Sequence, residues 1–237
     1  MLVNSPYPGR LGLAACGVFL SLALGTGVAH AGEPREHDGF YLRLGAGFGF
    51  FSDAASSASI PILGKTEGTP TAFALASEIA AGGSPLHGLV IGGGIYSSWA
   101  PSPRASHIRQ GDVSVTLPED VEFDASQFHL IAPFVDYYFN PERGLHLQGA
   151  LGLGILKTGD GHEATSNASF PYGQTATGFG FMVGFGDEWW VGRDWGLGVL
   201  ARVTMGFVGG DDDNSVQSVH WTHTVFCPAV LFTATMN

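Results

Sequence analysis

Histidine and acidic side chains near the end of the sequence are the first candidates for metal chemistry. His220 and His223 follow the acidic run Asp211, Asp212 and Asp213, and imidazole and carboxylate groups are good ligands for divalent metals. Residues three apart on a β-strand point to opposite faces, so the two histidines converge only if their segment is a loop. We therefore expect an acidic loop followed by a strand, with no metal or other cofactor site. Loose binding of divalent cations by the acidic loop is the alternative.

Three more histidines, His107, His129 and His162, lie near the ends of long polar connections. An enzyme that modifies lipids from a barrel wall would need a histidine paired with a serine and an acid at the lipid interface. None of the three begins a His-x-Ser pair. We therefore expect no enzymatic activity, and a lipid-modifying enzyme stays as the weaker alternative.

A charge network is predicted from four residues that stand among small side chains. Arg43, Glu78 and Arg202 each share an alternating face with glycine and alanine, and Asp136 does so if its strand has the same orientation. Pairing the first two predicted strands about their connecting loop places Arg43 almost opposite Glu78. Charges that are screened from bulk water are tolerated only when they are paired. We expect this network to fill the interior of the fold, with an ion path as the alternative.

Eight segments of alternating large apolar and small residues must position these charges. Alternation with a period of two is typical of β-strands, because successive side chains point to opposite sides of a sheet. In "GLHLQGALGLGILK", for example, leucines and isoleucine alternate with His146, Gln148, alanine and glycine. The segments are residues 40–51, 71–81, 89–99, 127–139, 144–157, 175–189, 195–208 and 220–236. The facing of residues 127–139 stays open, because both of its faces are apolar.

The connections between these segments alternate in length, which predicts the architecture. Residues 82–88, 140–144 and 190–194 are short turns, whereas residues 52–70, 100–126, 158–174 and 209–219 are long, polar and mostly acidic. Transmembrane barrels have short periplasmic turns and long external loops. A narrow eight-stranded barrel also needs small inward residues to make room for a few large ones. We predict an all-β protein, an eight-stranded antiparallel up-and-down transmembrane β-barrel, with its leucine face toward lipid and a secreted soluble β-sandwich as the alternative.

Aromatic residues near the predicted strand ends fit two interfacial girdles, because Trp and Tyr concentrate at membrane–water interfaces. Near the long loops these are Trp99 and Phe207. Near the short turns they are Tyr137, Tyr138, Trp189 and Trp195.

The first 31 residues differ in composition from the rest of the chain. Arg10 is their one charge, an apolar run follows it, and Ala29-His30-Ala31 has the small-residue pattern of a signal peptidase site. We expect residues 1–31 to be a cleaved signal peptide and residues 32–237 to be the barrel domain. Cys227 is then the one cysteine of the mature chain, which excludes an internal disulfide. The formal net charge of −11 argues against nucleic-acid partners.

Two stretches resemble a known family. "PFVDYYFNPERGLHLQGALGLG" and "GFGDEWWVGRDWGLGVLARV" are similar to the hairpins of small OmpA/OmpX-type outer-membrane β-barrel proteins of Gram-negative bacteria. The resemblance covers essentially the whole mature chain as a pattern. It implies an outer-membrane location and, as partners, outer-membrane lipid, lipopolysaccharide and the barrel-assembly machinery.

The function expected from the sequence is non-enzymatic. Rigid scaffolds commonly display binding loops, so we expect a structural or surface-interaction protein that presents acidic extracellular loops to an unknown partner. A narrow ion-conducting pore is the first alternative to this function.

Overall fold

The computed structural model describes residues 39–57, 65–110, 113–163, 169–170, 173–212 and 219–237. The expected signal peptide lies outside these residues. Within them, no helix is long and apolar enough to cross a membrane. The strands of the described part, in chain order, are β1 (Gly39–Ser57), β2 (Thr66–Gly68), β3 (Thr71–Leu86), β4 (Leu89–Ala100), β5 (Arg104–Gln110), β6 (Val113–Phe123), β7 (Ser126–Tyr138), β8 (His146–Lys157), β9 (Gly161–Glu163), β10 (Ser169–Phe170), β11 (Thr175–Trp190), β12 (Trp195–Asp212) and β13 (Val219–Met236).

Eight of these strands form a closed barrel. They follow one another around it in the order β1, β3, β4, β7, β8, β11, β12 and β13, and β13 pairs back onto β1. Every neighbouring pair is antiparallel. The predicted eight-stranded antiparallel up-and-down barrel is therefore confirmed, and closure leaves the barrel sheet without free edges.

The two faces of the barrel wall follow the predicted alternation. On β8, His146 and Gln148 are fully buried, whereas Leu147, Leu151 and Leu153 are 45 to 55% exposed. Since side chains alternate along a strand, the leucines all lie on the outer face. The small and polar residues line the inside, which we call the lumen.

The orientation of β7, which its sequence left open, is also clear in the structure. Phe128, Leu130 and Phe134 are buried in the lumen, and Ile131 and Val135 are exposed on the outer wall. Inward-facing aromatic and aliphatic side chains of this strand therefore fill part of the narrow interior.

Glycines in the lumen make room for these large side chains. A Cβ atom at Gly206 would lie 2.4 Å from the ring of Phe128, and one at Gly186 would lie 2.6 Å from the imidazole of His146. Both distances are shorter than van der Waals contact. The glycines of the inward face predicted from the sequence thus leave the space that a few bulky inward side chains occupy.

One end of the barrel has short connections, and we call it the turn end. The strand β3 continues beyond the predicted boundary to Leu86, with a register shift between Gly83 and Leu86. A tight turn at His87 and Gly88 follows, and Gly88 has a φ of +74°. Left-handed backbone of this kind suits glycine, which has no Cβ to clash.

The opposite end, the loop end, contains more regular structure than the sequence indicated. The connections predicted as long polar loops carry β2, β5, β6, β9 and β10, which pair with one another and continue from β1 as an additional sheet. Lys65 Nζ lies 2.8 Å from Glu67 Oε1 in this region, and the hydrogen bond lowers the pKa of Glu67. In β6, Val113, Val115 and Leu117 alternate with polar residues, which is a strand signal that the sequence does carry. The residues of β5 and of the shortest strands show no clear apolar period, so their sequence alone does not indicate them.

Two prolines interrupt hydrogen-bonded ladders within the barrel wall. Between β1 and β13, Phe50 and Phe51 do not form ladder pairs with Pro228 and Cys227, the residues that lie opposite them. Proline has no N–H to donate to a ladder, so it disrupts pairing where it lies inside a sheet. Between β7 and β8, a second interruption occurs at Ala132 and Pro133, opposite Gly152 and Leu151.

Candidate functional site

Buried charges in the lumen form the most distinctive group of side chains in the described residues. Arg43, Glu78, Asp136 and Arg202, the predicted network, are at most 2% exposed, and Glu188 is 5% exposed. Their positions on β1, β3, β7, β11 and β12 bring them together from around the barrel. The structure arranges these five residues in two clusters.

The first cluster is centred on Arg43, near the turn end. Arg43 Nη2 lies 2.8 Å from Asp136 Oδ2 and 2.9 Å from Glu188 Oε1. The same nitrogen donates to Tyr138 Oη at 3.0 Å and contacts His146 Nε2 at 3.1 Å. Charge-assisted hydrogen bonds of this length are among the strong interactions in proteins. We call Arg43, Asp136, Tyr138, His146 and Glu188 the Arg43 cluster.

Neutral groups complete the Arg43 cluster. Tyr138 donates to Glu188 at 3.2 Å, and Thr235 donates to Glu188 at 2.7 Å. Tyr41 donates to Asp136 at 3.2 Å. Because each carboxylate receives hydrogen bonds in addition to the arginine, much of its buried charge is compensated.

The ring of His146 has a defined tautomer in this cluster. Its Nδ1 lies 2.7 Å from the carbonyl oxygen of Gly144, which can only accept. The hydrogen therefore lies on Nδ1, and Nε2 of the neutral ring accepts from Arg43. The two hydrogens of Arg43 Nη2 are therefore shared among four close acceptors, of which His146 is one.

The second cluster is the pair of Arg202 and Glu78 farther along the lumen. Arg202 Nη1 lies 2.9 Å from Glu78 Oε2. Arg202 Nη2 donates to the backbone carbonyls of Ser77 and Ser97 at 3.1 and 3.0 Å. The guanidinium also lies over the ring of Tyr96, 5.6 Å from its centroid, an arrangement that favours a cation.

The predicted pairing of Arg43 with Glu78 is present as the longer of the two ion pairs that Glu78 makes. In the register of β1 and β3, Glu78 lies opposite Gly45 rather than Arg43. Arg43 Nε is 4.0 Å from Glu78 Oε1, whereas Arg202 is 2.9 Å from the same carboxylate. Arg202 reaches Glu78 across the lumen, and strand-to-strand register could not indicate that contact.

Glu188 is not among the charges predicted for the lumen, although the sequence carries a signal for it. It has the parity of Gly184 and Gly186, which share the inward face of β11. Because the predicted strand at residues 175–189 includes Glu188, the same alternation places this side chain in the lumen.

Placing Tyr138 in the aromatic girdle was wrong. Tyr138 is 1% exposed and lies within the Arg43 cluster. Adjacent residues on a strand point to opposite faces, so Tyr137 and Tyr138 cannot both face outward. The other predicted girdle residues are on the outer face, with exposures of 40 to 56%: Trp99, Tyr137, Trp189 and Trp195. Phe207 is likewise outward and 46% exposed.

The histidines considered for metal binding point apart. His220 is exposed and lies 2.8 Å from Asp211. His223 is buried in the lumen, 2.9 Å from Asp53 Oδ2 and 3.0 Å from the amide of Gln174. Among the residues that the structure describes, no group of three His, Cys, Asp or Glu side chains is close enough to hold a metal ion.

The remaining candidate histidines have different surroundings. His162 lies 3.4 Å from Asp124 in an exposed position, and the side chain of His107 lies outside the described part. His129 is on the outer wall, where its Nδ1 lies 2.8 Å from Ser97 Oγ. A serine–histidine contact therefore exists between two neighbouring strands. A local His-x-Ser pattern in the sequence does not indicate such a contact, because the two residues are 32 positions apart.

Large side chains pack against the lumen clusters and limit the space inside the barrel. Phe51, Phe128, Leu130, Leu156 and Leu231 are fully buried. The arrangement of fixed ion pairs and apolar side chains braces the wall from inside. Chemically, such a lumen can bear charge and hold strands in register, because each arginine has a carboxylate within 3 Å. Some buried polar atoms of the described residues have no hydrogen-bond partner, among them Arg43 Nη1 and Asp136 Oδ1.

Comparisons with known proteins concern the fold. No protein-family model and no curated protein sequence matches the chain. Among solved structures, the outer membrane protein OprG from Pseudomonas aeruginosa matches with a TM-score of 0.54 and 11% identity, over 85% of this chain and 99% of that one. The outer membrane protein AlkL matches with a TM-score of 0.46 and 14% identity, over 89% and 96%. Ail, the attachment invasion locus protein of Yersinia pestis, matches with a TM-score of 0.40 and 11% identity, over 83% and 99%. The likeness to OprG, together with the closed ladder of eight strands, gives this chain the fold of the small outer-membrane β-barrel proteins.

Proposed function

We propose that this protein is an outer-membrane barrel with a sealed lumen, and that it serves as a rigid, non-transporting scaffold for its loop end. The observation that carries the proposal is the Arg43 cluster. It joins β1, β7, β8 and β11 across the interior near the turn end, where an aqueous path would have to pass.

The outer face supports a membrane location. Apolar side chains such as Leu151, Val183 and Phe232 are more than half exposed, which is unfavourable in water over so large a surface. In a bilayer the same face is solvated by lipid, and the outward Trp and Tyr residues suit the interfaces. The proposal includes outer-membrane lipid and lipopolysaccharide as surroundings and the barrel-assembly machinery as the route of insertion.

The acidic loop end is the part of the scaffold available to partners. Loops on a rigid frame commonly carry binding, and the connections around β2, β5, β6 and β9 form a sheet extension beyond the barrel.

Conductance measurements test the sealed lumen. We expect the purified protein in a planar bilayer to give at most small, infrequent current steps, because eight strands leave room only for side chains. The double variant Arg43→Ala/Glu188→Ala should raise the frequency of these steps, since it removes two bulky groups from the Arg43 cluster. A large, steady, porin-like conductance from the unmodified protein would contradict the proposal and favour the pore.

Cell fractionation tests the location independently. We expect the protein in the outer-membrane fraction, with faster gel mobility when unheated than after boiling, as a barrel that stays folded in detergent would show. Recovery from the soluble periplasmic fraction would instead favour a soluble β-sandwich.

A further inference from the structure

A polar patch on the outer wall near the loop end breaks the apolar character of that face. Ser97 and Trp99 of β4 lie opposite His129 and Gln127 of β7 in the strand register. Lys157 of β8 lies opposite Gln127. All of these residues have outward parity and are half-buried or exposed. We call Ser97, Gln127, His129 and Lys157 the wall patch.

The hydrogen bonds within the wall patch have a defined polarity. His129 Nε2 lies 3.4 Å from Gln127 Oε1, and an amide oxygen only accepts. In the neutral ring, the hydrogen therefore lies on Nε2 and Nδ1 is left as an acceptor. Ser97 Oγ, 2.8 Å from Nδ1, is positioned to donate its hydrogen to the ring. A serine, a histidine and a third group that orients the histidine form the arrangement that activates a nucleophilic hydroxyl.

The backbone of Ser97 is fixed from the other side of the wall. Arg202 Nη2 reaches from the lumen and donates to the carbonyl oxygen of Ser97 at 3.0 Å. A reactive group on a rigid strand with a braced backbone is held more tightly than one on a loop. The contact between Ser97 and His129 is thus set by two paired strands and by a buried arginine.

The position of the wall patch determines which molecules reach it. It is close to the loop end and beside Trp99, an outward aromatic residue 41% exposed of the kind found at membrane interfaces. The ester bonds of membrane lipids lie near this level, between the headgroups and the acyl chains. The exposed ammonium of Lys157 can attract the phosphate of a lipid headgroup.

We propose that the wall patch hydrolyses acyl esters of membrane lipids, with Ser97 as nucleophile and His129 as general base, an activity beyond the scaffold function. Ser97 Oγ attacks the ester carbonyl carbon as its proton passes to His129 Nδ1. The bond to the lipid alcohol breaks, and that alcohol leaves with the proton from His129. Water then attacks the acyl-serine and gives a proton to His129, which returns it to Ser97 Oγ as the fatty acid leaves. Gln127 is a positioning residue that holds the ring through Nε2.

The test uses the full mature protein, folded in detergent micelles, with folding checked for every variant by heat-shifted gel mobility. A fluorescent fluorophosphonate reports a reactive serine, and fatty acid release from phosphatidylethanolamine in mixed micelles reports turnover. Ser77→Ala is the matched control, because Ser77 is an exposed serine opposite Ser97 in the register of β3 and β4.

We expect the unmodified protein and Ser77→Ala to react with the probe and release fatty acid. Ser97→Ala removes the nucleophile and should abolish both signals. His129→Asn should lower both signals roughly a hundredfold, a typical contribution of general acid–base catalysis. Gln127→Leu should lower kcat with little change in KM, and Gln127→Glu, which restores an acceptor oxygen, should recover part of kcat.

Several results would overturn the proposal. They are a folded wild-type protein that neither reacts with the probe nor releases fatty acid, reactivity that survives in Ser97→Ala, and an equal loss in Ser77→Ala. None of them bears on the sealed lumen, which conductance tests separately.

Discussion

The inner face of the barrel wall holds Arg43 and Arg202 among carboxylates, whereas the outer face of the same strands presents leucine, valine and phenylalanine through its middle. On β12, Arg202 is 2% exposed, while Leu197 and Phe207 on the opposite face are 43 and 46% exposed. Both faces exclude bulk water if the barrel spans a bilayer. The inner face tolerates charge because each cation there has anionic and hydrogen-bonding partners, and the outer face offers none at its centre.

The two lumen clusters differ in how many partners each cation has. Arg43 has Asp136 and Glu188 within 3 Å, while Arg202 has Glu78 and two backbone carbonyls. Losing a cation is therefore more costly at Arg43 than at Arg202, since more anionic charge is left without compensation.

Removal of Arg43 is expected to have the largest effect. Arg43→Met leaves Asp136 and Glu188 buried without their cation, so we expect a loss of about 5 kcal/mol in the free energy of unfolding. Urea unfolding of the protein in lipid vesicles measures this. Arg193→Met is the control, because that arginine side chain is 90% exposed in a turn. A loss at Arg43 no larger than at Arg193 would mean that the lumen is open to water.

A double-mutant cycle on Glu78 separates its two possible partners. Glu78→Ala leaves Arg202 without its carboxylate, and we expect a loss of about 3 to 4 kcal/mol. The double variant Glu78→Ala/Arg202→Ala should recover part of this loss, because neither charge is then left alone. The coupling energy of Glu78 with Arg202 should exceed that of Glu78 with Arg43, in line with the distances of 2.9 and 4.0 Å. The reverse order would favour Arg43 as the main partner of Glu78.

A charge on the outer face tests its contact with lipid. Leu151 lies midway along β8 and is 55% exposed, so Leu151→Arg should cost about 3 kcal/mol of folding stability in vesicles. Ser102→Arg, at an exposed position in the connection after β4, should change stability by about 0.5 kcal/mol or less. Equal effects at the two positions would indicate that water, and not lipid, contacts the leucine face.

The smallest effect is expected for one carboxylate of the Arg43 cluster. Asp136→Asn retains the shape of the side chain, and Glu188 stays within 2.9 Å of Arg43. We expect a loss of about 2 kcal/mol, similar to a hydrogen bond to a charged group, in the same urea assay. A loss as large as that of Arg43→Met would show that Asp136 alone balances the arginine.

Strand number, order and the facing of most strands could be predicted from the sequence, because a period of two is a local property. Leu151 and Val183 were placed outward by parity alone, and they are exposed. In the long connections, the pairing of β5 with β6 is local, with Gln110 opposite Val113. The pairings of β2 with β5 and of β6 with β9 could not be predicted, because those partners are distant in sequence.

The candidate site was less predictable than the fold. Parity indicates that Arg43 and Arg202 face inward, but it does not give the length or direction of a side chain that crosses the lumen. The contact of Arg202 with Glu78 spans 124 residues, and the contact of Ser97 with His129 spans 32. Both depend on how the strands are staggered around the closed barrel. Glu188, by contrast, was accessible to the parity argument.

The prolines at positions 133 and 228 have a mechanical consequence for the cylinder. The interrupted ladders lie between β7 and β8 and between β13 and β1, which are separated by four strands in either direction around the barrel. At each interruption two consecutive residue pairs lack ladder pairing. The wall is therefore less stiff at these two strand boundaries than at the others. We therefore expect the barrel to deform most easily from a circular to an oval cross-section, by bending at the β7–β8 and β13–β1 boundaries. The four strands between these boundaries on each side would then move together as a rigid unit.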